Sequence, residues 1–218
     1  MNPEHYVDAF RRYGLGRTLY DAAYRAARKV TEVAVWNGVV LTMDTLDRSF
    51  LSEPKRAAGR FADAAELKSY ARDPIYDLDE SFIDHAMALG DRCHVFVENG
   101  TLQSYGWYAR HPTGAGRNVV LHFDPAYVYM YKGFTHPKFR GQRLHAIGMA
   151  AALEAYTNEG ARGFVSYVDS ANFASLRSCD RMGYHTFGRV VVWWHGRSVT
   201  TRATPGCAAY GFHVVAVS

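Results

Sequence analysis

Between Tyr127 and Trp194 the sequence alternates strand, helix, strand, helix, strand, and this order constrains the fold more than any other feature. Tyr127 to Thr135 reads as a strand, with Tyr127, Tyr129 and Tyr131 on one face and Val128 and Met130 on the other. The next segment repeats Leu144, Ile147, Gly148, Ala151, Ala152 and Ala155 at helical spacing and stops at Asn158-Glu159-Gly160. Gly163 to Asp169 is a short apolar strand, and Asn172 to Met182 is a helix closed by Gly183, with Tyr184 placed for the hydrophobic contact of its cap. Two strands joined through a helix in this way cross over right-handed and lie parallel. The chain must therefore hold a sheet that is at least partly parallel.

Upstream, His94 to Glu98 and Thr101 to Arg110 flank Asn99-Gly100, the strongest short hairpin signal. Val33 to Trp36 and Val39 to Thr42 flank Asn37-Gly38, which predicts a second hairpin. Arg189 to Arg202 predicts a third around His195-Gly196, and Tyr210 to Val217 a last strand. Asn2-Pro3 opens a helix that ends at Gly14. Leu19, Ala22, Ala23, Ala26, Ala27 and Val30 then mark the buried face of another. Ala62 to Ala71 and Asp77 to Leu89 read as helices, the second with Phe82, Ile83, Ala86 and Leu89 inward. The expected fold is mixed α/β (α+β): a central, mostly antiparallel sheet with a βαβ core and flanking helices. We read 1–218 as one domain, with 1–90 a helical and hairpin portion and 91–218 the core.

Composition excludes several classes. No apolar run approaches the roughly 18 residues of a membrane span. The first residues lack a signal-peptide apolar stretch, so a cytoplasmic protein without a membrane partner is expected. The three cysteines form no CxxC pair, which supports neither a disulfide framework nor a zinc site. The net charge of +4 suits a polyanionic small ligand, whereas scattered Arg and Lys do not form the dense stripe of a nucleic-acid binder.

The segment Pro137 to His145 carries the strongest chemical signal. A strand ends at a proline, a short basic loop follows, and a helix begins at once. Helix N-termini present unpaired N–H groups and partial positive charge, a ready anion site. Gly141 permits close backbone approach, and Lys138, Arg140 and Arg143 add charge.

Thr135 to His145 resembles the V-x-P-x-x-R-G-x-G-x-G/A signature of the GNAT superfamily of N-acetyltransferases. Asn172-Phe173-Ala174-Ser175 followed by Gly183-Tyr184 resembles its second signature, at the family's spacing. The resemblance covers Cys93 to the C-terminus. It implies an acyl-CoA-dependent enzyme that transfers an acetyl or other short acyl group to a small-molecule or peptide amine. Acetyl-CoA would be the co-substrate and no metal is implied; a homodimer is compatible. A non-catalytic acyl-CoA sensor or scaffold is the alternative.

The resemblance also implies roles. Backbone groups at Gly133, Phe134 and Thr135 would pair with the pantetheine arm, with Gly133 as a bulge. Arg140, Gly141, Gln142, Arg143, Leu144, His145 and Ala146 would bind the pyrophosphate, and Asn172 and Ser175 would line the cofactor near sulfur. Arg143 and His145 occupy positions where the family has glycines; a right-handed helical start there would accept any residue.

Where many relatives have a tyrosine that protonates the leaving thiolate, this chain has Cys179, which can be an acid, a nucleophile or a buried helix residue. Tyr129 and Tyr131, expected on the face of Thr135, either hold a water or proton at the acceptor cleft or pack on the neighbouring strand. No carboxylate lies in that strand to act as base.

Overall fold

The computed structural model describes residues 10–217. The expected helix start at Asn2-Pro3 lies outside them. Residues 10–13 are helical, and Gly14 breaks the helix at φ 81°. Helix α1 (Leu15–Val30) then leads into strand β1 (Glu32–Leu41). β2 (Gly59–Ala62), α2 (Ala64–Ala71) and α3 (Glu80–Ala88) precede the hairpin of β3 (Arg92–Glu98) and β4 (Thr101–Ala109). After the short strands β5 (Thr113–Gly114) and β6 (Val119–His122) come β7 (Tyr127–Thr135), α4 (Leu144–Asn158), β8 (Gly163–Asp169) and α5 (Phe173–Met182). The chain closes with β9 (His185–His195), β10 (Ser198–Ala203) and β11 (His213–Ala216).

Eight strands form one sheet in the order β10-β9-β1-β8-β7-β4-β3-β2. Only β7 and β8 are parallel, joined through α4 as the strand–helix–strand order requires. The expected mixed, mostly antiparallel sheet with a βαβ core is the fold observed. α4 packs on one face, where Leu144, Ile147, Ala150 and Leu153 meet Tyr108, Val128 and Phe164. On the other face, α2 and α3 cover Tyr105 and Trp107, while the small sheet β11-β6-β5 covers Trp36, Tyr127 and Tyr129. Among the described residues no helix is long and apolar enough to cross a membrane.

Three expectations fail for identifiable reasons. First, Asn37-Gly38 is not a turn. β1 runs straight through it, between β8 and β9, with a register shift at Gly38/Val39. A two-residue turn needs positive φ. Asn99 and Gly100 have it, at 49° and 73°, whereas Asn37 and Gly38 do not. Instead the Asn37 side chain is buried and accepts a bond from Arg189 Nε at 3.1 Å. Gly38 is there because a Cβ would come within 2.5 Å of the Phe187 ring. The N-terminal portion thus supplies an interior strand of the main sheet.

Second, the apolar stripe of α1 faces outward. Leu19 and Val30 are 60% and 87% exposed, while Thr18, Asp21 and Tyr24 face the protein. Leu89, expected inward, is likewise half exposed at the end of α3, beyond the last turn that packs on β3 and β4.

Third, the bulge of β7 is at Tyr131, not Gly133. Trp107 pairs with Lys132 and Tyr108 with Met130, leaving Tyr131 as the extra residue. One inserted residue reverses the alternation of faces. Gly133 therefore turns toward α4, and Phe134 turns to the opposite face, stacking on Tyr105 at 5.3 Å. Tyr129 and Tyr131 consequently do not share a face with Thr135.

Candidate functional site

β7 and β8 pair only from Tyr127–Gly163 to Tyr129–Val165. Beyond that the strands part, and Ser166 Oγ donates to Met130 O at 2.7 Å where they separate. From Tyr131 to Thr135, β7 is paired on one side only, with β4. Such an edge offers backbone donors and acceptors to an extended ligand.

The same strand runs into a built turn. Pro137–Phe139 forms one 3-10 turn, capped by His136 Nδ1 accepting from Lys138 N at 3.2 Å. Gly141 (φ 82°) and Arg143 (φ 61°) both take left-handed backbone, and α4 starts at Leu144. The expected right-handed start at Arg143 is thus not what the turn uses. That conformation costs a non-glycine residue about 1 kcal/mol, which explains why glycine suits this position. α4 has no side-chain cap and no acid in its first turn, so its first N–H groups have no intrahelical acceptor.

A cavity of about 210 Å³ opens at this helix end. It brings together Thr135, Arg140, Gly141, Arg143, Leu144, His145 and Ala146 from the expected set, with Phe50, Ser178, Arg181 and Met182 added. Three arginines and no carboxylate line it. The Arg143 guanidinium lies 4.2 Å above the Phe50 ring and 3.6 Å from Glu53. A Cβ on Gly141 would meet nothing within 4 Å, so the space before that backbone is open.

The His145 ring lies under Gly133, and burial lowers its pKa to about 4. It is neutral at physiological pH and adds no charge to the cavity. Gln142 points elsewhere, accepting from Lys55 Nζ at 2.7 Å.

The remaining candidates lie around the cleft between β7 and β8. Asn172 Oδ1 accepts from Ser175 N at 3.1 Å, so this pair caps α5. Cys179, two turns on, packs at the edge of the α4 cluster, and burial pushes its thiol up to about 11. Tyr129 is fully buried between Phe123, Tyr131 and Tyr167.

Tyr131 is different. Its Oη donates to Asp91 Oδ2 at 2.8 Å, and Asp91 Oδ1 meets His111 Nε2 at 2.7 Å. Asp91 is 4% exposed. Burial raises its pKa against the pull of Tyr131 and His111, and burial with the nearby Asp91 raises that of Tyr131. The sequence contained no signal for Asp91 or His111. They lie 40 and 20 residues from Tyr131, Asp91 just before β3 and His111 just after β4, and only the sheet assembles them. Among the described residues no group of His, Cys, Asp or Glu could hold a metal ion.

No protein-family profile matches the chain. No curated protein matches it. Solved structures do. A GNAT acetyltransferase from Colwellia psychrerythraea superposes with TM-score 0.54 at 12% identity, covering 78% of this chain and 60% of that one. A GNAT-family protein from Novosphingobium aromaticivorans gives 0.48 at 12%, covering 74% and 63%. An acetyltransferase from Salmonella typhimurium, solved with acetyl-CoA, gives 0.41 at 21%, covering 57% and 77%. The chain spans about three fifths of the length of the first two. The fold is that of the GNAT acetyltransferases.

Proposed function

We propose that the chain is an N-acyltransferase that moves an acetyl or other short acyl group from acyl-CoA to a primary amine. One observation carries this reading: the acid-free, three-arginine cavity at the N-terminus of α4, placed directly after a strand that parts from its parallel neighbour. Fold alone would not specify function.

In this reading the first-turn N–H groups of α4, with Arg140, Arg143 and Arg181, hold the pyrophosphate. The one-sided edge of β7 hydrogen-bonds the pantetheine arm, and a backbone N–H within Gly133–Thr135 faces the developing oxyanion. Asn172 and Ser175 border the arm from the start of α5. Tyr129 serves as packing.

Tyr131 handles the acceptor's proton. An ammonium acceptor must lose one proton before its nitrogen can attack. Tyr131 Oη takes that proton, directly or through a water, as it passes its own to Asp91, and His111 delivers it to solvent. When the new N–C bond forms and the C–S bond breaks, the second proton leaves nitrogen and the sulfur ends as a thiol. The Cys179 thiol, protonated at neutral pH because of its raised pKa, suits donation to the leaving sulfur and not nucleophilic attack.

The test is thiol release from acetyl-CoA across a panel of primary amines, with CoA binding measured by calorimetry. Binding and amine-dependent release are expected. Tyr131→Phe should lower kcat at least about tenfold with CoA affinity kept. Asp91→Asn should shift the acid limb of the kcat/KM profile. Binding without release from any amine would replace the enzyme with an acyl-CoA sensor, and absence of binding would overturn both.

A further inference from the structure

A second cavity, of about 370 Å³, opens where α1 runs into β1. The main sheet builds it. β1 lies between β8 and β9, with Trp36 in register with Asp169 and Glu32 with Trp194. Arg28 enters from the last turn of α1, and Arg117 from the turn before β6. None of its lining residues belongs to the cavity at the N-terminus of α4. Its volume, near the lower end for ligand pockets, suits a molecule of amino-acid size.

Of its four charges, two cancel. Arg117 Nη1 lies 3.2 Å from Glu32 Oε2, and Arg117 Nη2 donates to Gly196 O at 3.2 Å. The other two, Arg28 and Asp169, have no ion-pair partner among the described residues. They flank one buried side chain, Tyr24. The Arg28 guanidinium lies 5.7 Å over its ring, and Asp169 Oδ2 accepts from its hydroxyl at 3.2 Å. Tyr24 is itself fixed, because its Oη also accepts from Val35 N at 2.9 Å. The stacked Tyr20 holds the same stretch of α1 through a 2.7 Å hydrogen bond to Ser170 Oγ. The cavity therefore presents one unmatched guanidinium and one unmatched carboxylate, close together.

Trp36 adds a donor. It is 6% exposed, and its indole N–H has no hydrogen-bond partner among the described residues. The polar atoms sealed away without a partner are Trp107 Nε1, Tyr108 Oη and Thr157 Oγ1. The Trp36 N–H is not one of them, so the access it keeps is to the cavity that Trp36 lines. A nearly buried donor without an acceptor is a loss that a ligand oxygen recovers. Trp36 stacks on Tyr167 at 4.2 Å and meets Trp194 edge-on at 6.4 Å, and Val33 and Ala34 extend this apolar wall. A lone amine placed here meets the like charge of Arg28, and a lone carboxylate meets that of Asp169. A ligand with both charges on one carbon matches each.

We propose that this cavity binds a free α-amino acid with an aromatic side chain. Its carboxylate lies on Arg28 and the Trp36 N–H, its ammonium on Asp169, and its ring against Trp194, Val33 and Ala34. Binding here needs no acyl-CoA and does not depend on the acyltransferase reading.

The test is calorimetry on the full chain, without acyl-CoA, using L-phenylalanine, phenethylamine and hydrocinnamate. L-Phenylalanine should bind with a Kd below about 1 mM. The two analogues, each lacking one of its charges, should bind at least about tenfold more weakly. Arg28→Gln, at an exposed site, should erase the preference over phenethylamine while leaving thermal unfolding unchanged. Asp169→Asn should erase the preference over hydrocinnamate. No binding of L-phenylalanine, equal binding of either analogue or of L-alanine, or a preference that survives its substitution would overturn the assignment.

Discussion

α4 and α1 have similar lengths and opposite fates. α4 is apolar nearly all round: eight of its residues are buried, and α4 packs between the sheet and Phe50 and Leu51. α1 buries only three residues, all with polar atoms, and leaves its apolar stripe in water. The difference teaches that an apolar period fixes that a helix forms but not which way it faces. In α4 packing decides the orientation. In α1 two tyrosine hydroxyls decide it, because an unpaired buried donor costs more than an exposed leucine. Burial along its length also suits α4 to present its N-terminus in one orientation to an anion.

Paired truncations should separate the two helices most sharply. Leu153→Ala, at a fully buried site in α4, should cost about 2–5 kcal/mol by urea denaturation. Leu19→Ala in α1 should stay within about 0.5 kcal/mol. Equal costs would mean that α1 is packed by something beyond the contacts described.

Mild acid should act on the surroundings of α4 through two buried histidines. His94, packed against α4, and His145, in its first turn, are both lowered to about 4 by burial. Their unfolded imidazoles titrate near pH 6.5. Between those values the unfolded chain binds more protons, so stability should hold above about pH 6.5 and fall as pH drops toward about 4. α1 contains no histidine. His145→Gln should shrink the decline, and an unchanged pH profile would remove this assignment.

Tyr24→Phe should cost about 1–3 kcal/mol by leaving Val35 N–H without its partner, a large loss for a helix so lightly held. The smallest effect is at the turn. Arg143→Gly should relieve left-handed strain and stabilise by up to about 1 kcal/mol, while weakening CoA binding through loss of a guanidinium. Tighter binding would show that the side chain obstructs the cavity.

What the sequence disclosed follows the range of the forces involved. The hairpin at Asn99-Gly100, the helix stop at Gly183, and the β7–α4–β8–α5 order are written in neighbouring residues, and each stands in the structure. The cavity was legible because strand end, glycine and helix start are contiguous. Asn37-Gly38 misled because its meaning depends on β8 and β9, more than 120 residues away. The bulge at Tyr131 is set by register against β4, and its consequence, the turning of Gly133 and Thr135 toward α4, cannot be read from β7 alone. Phe50 and Arg181 entered the cavity, and Asp91 and His111 met Tyr131, only through tertiary packing.

A pair of substitutions at Gly141 tests whether the N-terminus of α4 is built for a diphosphate. Asn and Asp tolerate left-handed backbone about equally and differ in charge. By calorimetry Gly141→Asn should bind CoA within a few-fold of the unmodified chain, while Gly141→Asp should lose at least about tenfold, or about 1.4 kcal/mol. Equal affinities for the two variants, or no CoA binding by the unmodified protein, would contradict it.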